Sequence, residues 1–120
     1  MLYRFHVRVA AAFPDQLATF DEALASLARL PQMFAEPDGS FVWTSPASAD
    51  PRWQVVGILV DGGEWLYYVE LKGACPPESL DELLSCLSAA GAAHSYELVE
   101  EGTVVNDRVF RQFVLKKGLS

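Results

Sequence analysis

The stretch that most constrains the fold is WQVVGILVDGGEWLYYVELK, Trp53–Lys72, at the middle of the 120 residues. It reads as two apolar strands joined by the turn Asp61-Gly62-Gly63-Glu64. A loop that short permits only an antiparallel hairpin. With Gly62-Gly63 as the loop, Val60 opposes Trp65, Ile58 opposes Tyr67 and Val56 opposes Val69. Sliding the loop by one position moves the register by two and leaves each residue on its face. One face is then Val56, Ile58, Val60, Trp65, Tyr67, Val69 and Leu71, expected to pack under helices. The other is Trp53, Val55, Gly57, Leu59, Leu66, Tyr68, Glu70 and Lys72. That second face is too apolar to be left in water, because each large side chain left exposed forgoes roughly 1.5–3 kcal/mol of burial. A second copy, a ligand cleft or the loop 44–52 could cover it.

The flanking chain supplies the partners. Residues 2–10 alternate, with Tyr3, Phe5, Val7 and Val9 on one side and Arg4, His6 and Arg8 on the other, the period of a half-buried strand. Pro14 suits the first position of a helix whose stripe is Leu17, Phe20, Leu24, Leu27 and Leu30, and Pro31 ends it. PQMFAEPDG (31–39) reads as a connection and Phe41-Val42-Trp43 as a short strand. Pro76-Pro77 opens a second helix with the stripe Leu80, Leu83, Leu84 and Leu87, capped near Gly91. His94–Glu101 and Arg108–Lys117 are expected as a closing strand pair around the turn Asn106-Asp107.

The halves align at an offset of 60 residues: Thr19-Phe20-Asp21-Glu22 lies over Ser79-Leu80-Asp81-Glu82, both with capping-box spacing. Each half reads strand, helix, strand, strand. The expected fold is therefore a single α+β domain over 1–120, built from two βαββ repeats (2–61 and 64–117). It would be a two-layer sandwich, an antiparallel sheet with two helices on one face, of ferredoxin-like kind.

The net charge is −7. Nucleic-acid binding needs a basic surface, and anionic membranes repel an acidic one, so neither partner is expected. No apolar run reaches the roughly 20 residues of a membrane helix. Arg4 and Arg8 interrupt what would be the apolar core of a signal peptide, which points to a cytoplasmic protein. Cys75 and Cys86 match no zinc or redox spacing and read as reduced thiols.

Chemistry-bearing residues are few. Arg4, His6 and Arg8 share a strand face and, beside Tyr68, would form a cationic wall for a carboxylate or phosphate. His94 reads as a loop histidine, and Glu97, Glu100 and Glu101 as a solvated edge. No nucleophile elbow, phosphate loop or dinucleotide fingerprint occurs, and no metal or cofactor is expected.

The second half resembles a module of the glyoxalase/bleomycin-resistance superfamily, through the strand Trp65–Leu71, the helix ending Ala89-Ala90-Gly91 and the closing strand Val109–Leu115. That resemblance implies paired βαβββ modules around a metal or drug cup, with His6 as the position onto which a metal ligand carries over. Val60 and Val114 stand where the partner acids would be. Small acidic secretion chaperones are similar in size and charge, but begin with a helix. The expectation is a non-catalytic cytoplasmic binding domain, a homodimer burying Trp53, Val55, Leu59, Leu66 and Tyr68. The alternatives are a small-molecule protein or enzyme with an anionic ligand at Arg4, His6 and Arg8, or a chaperone-like protein.

Overall fold

The computed structural model describes residues 1–118. The elements run β1 (Tyr3–Ala11), α1 (Phe20–Ala28), β2 (Met33–Ala35), β3 (Ser40–Thr44), β4 (Gln54–Asp61), β5 (Leu66–Cys75), α2 (Pro77–Ser85), β6 (His94–Leu98), β7 (Thr103–Asn106) and α3 (Asp107–Gly118). Seven strands form one sheet in the order β2-β3-β4-β5-β1-β6-β7, and every pairing is antiparallel. The α+β class and the antiparallel sheet agree with the sequence. The element count is larger than expected, at seven strands and three helices.

The extra helix corrects the reading of Arg108–Lys117 as a strand. Phe110 and Val114 lie one turn apart and are both fully buried, which a strand placing every second residue inward could not achieve together with exposed Gln112. Asn106 accepts from the Val109 amide at 2.9 Å, and Asp107 sits in the first turn, where the helix dipole favours an anion. Tyr96 on β6 stacks on Phe110 at 4.1 Å between centroids, and Phe5 meets it edge-on at 6.5 Å. The segment Val109–Leu115, which carried the glyoxalase-superfamily resemblance as a strand, is thus helical.

The other helix boundaries also move. α1 begins at Phe20, not Pro14, because Thr19 and Glu22 close a reciprocal capping box there. The residues before it run extended and tie two elements together, with Ala18 donating to the Leu87 carbonyl and accepting from the Leu66 amide. α2 starts at Pro77, which places Ser79 inside the helix rather than at its cap. Ser79 therefore plays a different part from Thr19, and the offset of 60 aligns residues without aligning helix ends. Residues 33–35, read as connection, form a short edge strand against β3.

All three helices contribute to the one core. Ala23 and Leu27 of α1, Leu80, Leu83 and Leu84 of α2, and Phe110 and Val114 of α3 join the inward side chains of the sheet in a single cluster. The loop between β3 and β4 is held at its neck, where Ser45 and Trp53 exchange two hydrogen bonds, 2.9 and 3.1 Å. Among the described residues no helix is long and apolar enough to cross a membrane.

The central hairpin shows the main departure. Val60 pairs with Tyr68, Ile58 with Glu70 and Val56 with Lys72, three residues away from the expected register. An odd shift inverts one strand relative to the other. Its source is a bulge beside Asp61: Leu66 and Val69 both point inward, with Tyr67 and Tyr68 between them. The inward residues of β4 are therefore Val55, Gly57 and Leu59, and its outward residues are Val56, Ile58 and Val60. Gly57 fixes this choice, because the Phe41 ring lies on it; an added Cβ would meet Phe41 Cζ at 2.3 Å and the Glu70 carbonyl at 2.9 Å. Gly57→Ala should destabilise the fold by about 1–3 kcal/mol through overpacking, read as a lower urea midpoint with an unchanged slope. A neutral Gly57→Ala would refute the ring-on-glycine account.

Candidate functional site: the uncovered sheet face

With the helices on one face, the strand residues of opposite parity form a second face. The pairings lay them out in rows. Phe34, Val42, Val56, Lys72 and His6 make one row, from β2 across to β1. Ser40, Ile58, Glu70, Arg8, Glu97 and Val104 make the next, from β3 to β7. Val60 and Tyr68 follow. The face is therefore divided: apolar over β2, β3 and β4, charged over β5, β1 and β6. Phe34 is 65 % exposed, Ile58 42 % and Val56 37 %. Uncharged β-branched side chains in such a row are unusual on a solvated face, which ordinarily alternates to polar.

The charged half is largely neutralised from within. Glu70 accepts from Arg8 Nε at 3.0 Å and lies 3.1 Å from His6 Nε2, while a second Arg8 nitrogen lies 3.7 Å from Glu97. The bonds from His6 and then Arg8 hold the Glu70 carboxyl below its usual range. The Arg8 guanidinium also sits 5.3 Å from the centre of the Tyr68 ring, a cation–π distance. Arg8, Tyr68 and Glu97 border an open hollow of about 210 Å³, lined also by Ala10, Tyr67, Ser95 and Val104.

The residues singled out in the sequence are divided by this geometry. His6, Arg8 and Tyr68 do stand near one another on the open face. Arg4 lies further along β1, lining a second hollow with His6, Arg52 and Lys72, apart from Arg8 and Tyr68. Val55, Leu59 and Leu66 are buried beneath the helices, at most 4 % exposed, so they cannot form an interface as expected. Trp53 is half-buried and packs edge-on against Trp43 at 5.1 Å. The residues that do occupy the open face, Phe34, Val42, Val56, Ile58 and Val60, were missed or assigned to the core. The available signal was the Phe41-Val42-Trp43 alternation, which needs a small residue such as Gly57 on the neighbouring strand's inward side.

A second polar cluster lies at one end of the sheet. Ser88 Oγ and His94 Nε2 are 2.7 Å apart beside an open hollow of about 680 Å³. Burial holds the His94 imidazole below its usual pKa, favouring the neutral ring. The nearby carboxylate of Asp107 is engaged elsewhere, one oxygen accepting from the Tyr96 hydroxyl at 2.7 Å and the other from Arg111 at 3.0 Å. Arg111 in turn reaches Asp81 at 2.8 Å. This network fastens α3 to α2 and β6. Among the described residues no group of three or more His, Cys, Asp or Glu could hold a metal ion.

His94 gives a pH test of this cluster. A depressed folded pKa means that the neutral imidazole's contribution is present above the unfolded value near 6.5 and is lost as pH falls through the folded pKa. The native protein should therefore lose more thermal stability than His94→Gln between neutral pH and about pH 5, whereas the Glu70 contribution should fall away only below the carboxylate range. Equal losses in both proteins would contradict the assignment. No family model, no curated protein and no solved structure matches the chain, so its function has to be argued from these surfaces.

Proposed function

We propose that the chain is a non-catalytic cytoplasmic binding domain that works as a homodimer, with the uncovered sheet face as its interface. The observation that supports this most is the apolar half of that face, Phe34, Val42, Val56, Ile58 and Val60, adjoining one another across three strands. A side chain such as Ile58 gains roughly 1.5–3 kcal/mol on full burial, and several of them act together.

Charge and area both favour a second copy as the occupant. The outward strand residues carry three cations (Arg4, Arg8 and Lys72) against two carboxylates (Glu70 and Glu97), a balance of +1 on a chain of net charge −7, which leaves −8 for the rest. Two copies meeting through this nearly neutral face bring far less like charge together than copies meeting through the surface that carries the −8. Seven strands about 4.8 Å apart and on average roughly 20 Å long present on the order of 700 Å², near the ~800 Å² per partner of a standard interface. A two-fold contact would stack the two sheets about 10 Å apart, apolar half on apolar half. Cys75 and Cys86, both free thiols, suit a reducing compartment.

Light scattering should give twice the chain mass at micromolar concentration, and Ile58→Glu or Val56→Glu should give monomers with unchanged circular dichroism. A wild-type monomer across that range, with Ile58→Glu no more soluble, would sink the dimer reading. An acidic partner bound to the +1 face of a monomer would replace it.

A further inference from the structure

Among the described residues the most exposed large apolar side chain lies elsewhere: Phe13, after β1, is 98 % exposed. It is not isolated. Trp65, in the β4–β5 turn, and Tyr67, on the bulge, are 39 % and 70 % exposed and line the same hollow, of about 740 Å³, together with Asp15 and Glu64. The local backbone holds this cluster open. Gly62 donates to the Trp65 carbonyl at 2.9 Å and Gly63 to the Asp61 side chain at 3.0 Å, which fixes the turn. Tyr67 points outward next to inward Leu66, and the bulge turns Tyr68 outward as well, where regular pleating would place it inward.

A second hollow, of about 480 Å³, continues from the first, sharing Asp15, Gln16, Leu17 and Trp65 with it and reaching Glu22 and Ser85. Both lie within the size of a ligand site, and joined they make a groove longer than one side chain needs. The lining has a uniform character: three aromatic rings, three carboxylates (Asp15, Glu22 and Glu64) and no Lys, Arg or His in either hollow. The Thr19 bonds hold Glu22 below its usual pKa, so it is anionic at neutral pH.

Aromatic faces beside carboxylates attract organic cations, by the ring quadrupole and by direct charge. We propose that this groove binds a basic peptide segment of a partner protein, placing Arg or Lys side chains over Phe13, Trp65 and Tyr67 and against Glu64 and Asp15. The length of the joined hollows selects a segment over a single ammonium group, and the −7 charge of the chain draws a basic segment toward it. The groove meets the proposed dimer face at Ala10 and Tyr67 and is otherwise separate from it.

The test is fluorescence anisotropy of a labelled six-residue Arg/Lys peptide against the full chain. Saturable binding that weakens with salt is expected, with an all-Glu peptide and free arginine binding at least about tenfold more weakly. Phe13→Ala and Glu64→Gln should each weaken binding by about threefold or more, and the double variant by about tenfold. Phe13 and Glu64 are exposed, so these variants keep the fold, and Ile58→Glu, which lies outside both hollows, should still bind the peptide saturably. Three results would overturn the proposal: no saturable binding, free arginine binding as tightly as the peptide, or Glu101→Gln, an acid on another surface, weakening it as much as Glu64→Gln does.

Discussion

The unpaired residue where β5 leaves its turn decides which hairpin side chains are dry. Leu66 is held inward, its amide donating to the Ala18 carbonyl just ahead of α1. Three positions later Val69 is inward again, and the odd interval leaves both Tyr67 and Tyr68 on the outside. Without that bulge the register would turn β4 over, sending Val56, Ile58 and Val60 under the helices and Val55 and Leu59 into water. It would also lift the Phe41 ring off Gly57. Both hollows beside Tyr67, and the apolar rows across β2 to β4, are consequences of this one irregularity.

This is also why β1 was legible in the sequence and the hairpin was not. Strand β1 alternates cleanly, and its two faces lie where the alternation puts them: Phe5, Val7 and Val9 inside, Arg4, His6 and Arg8 outside. QVVGILVD offers no alternation, since both parities are apolar, so the face of β4 could be inferred only through the turn. Sliding a tight turn shifts the register by two, whereas a bulge shifts it by an odd number. The α3 segment failed differently. Phe110 and Val114 carry helical spacing, and Asp107 and Arg111 form an i,i+4 ion pair, but the β-branched and aromatic content favoured a strand. The Ser88–His94 contact joins a turn to a strand and has no periodic signature.

Charge organises the surface into regions of distinct use. The outward side of β5, β1 and β6 concentrates cations, but Glu70 takes bonds from both His6 and Arg8, so the expected anion wall is neutralised in part by its own sheet. That leaves a face of small net charge, apolar on one half and internally paired on the other, which suits a protein contact better than a small-anion pocket. The strongly acidic character falls outside that face, including the groove beside α1. Two surfaces of one small domain thus offer opposite chemistry.

Tyr67 connects them. Its side chain lines the hollow around Arg8 and Tyr68 on the sheet face and also the aromatic groove, and its ring meets Tyr68 at 5.3 Å between centroids. A second copy over the sheet face would restrict that ring from one side, and a basic side chain in the groove would restrict it from the other. Each event then fixes the ring for the next. A ring orientation that suits both occupants lets the first lower the entropy cost of the second, and one that suits a single occupant sets them in competition. Either way the coupling is reciprocal, so peptide affinity and dimer affinity must move by the same factor when the other site is filled. Removing the ring, as in Tyr67→Ala, removes the shared element and should leave the two equilibria independent.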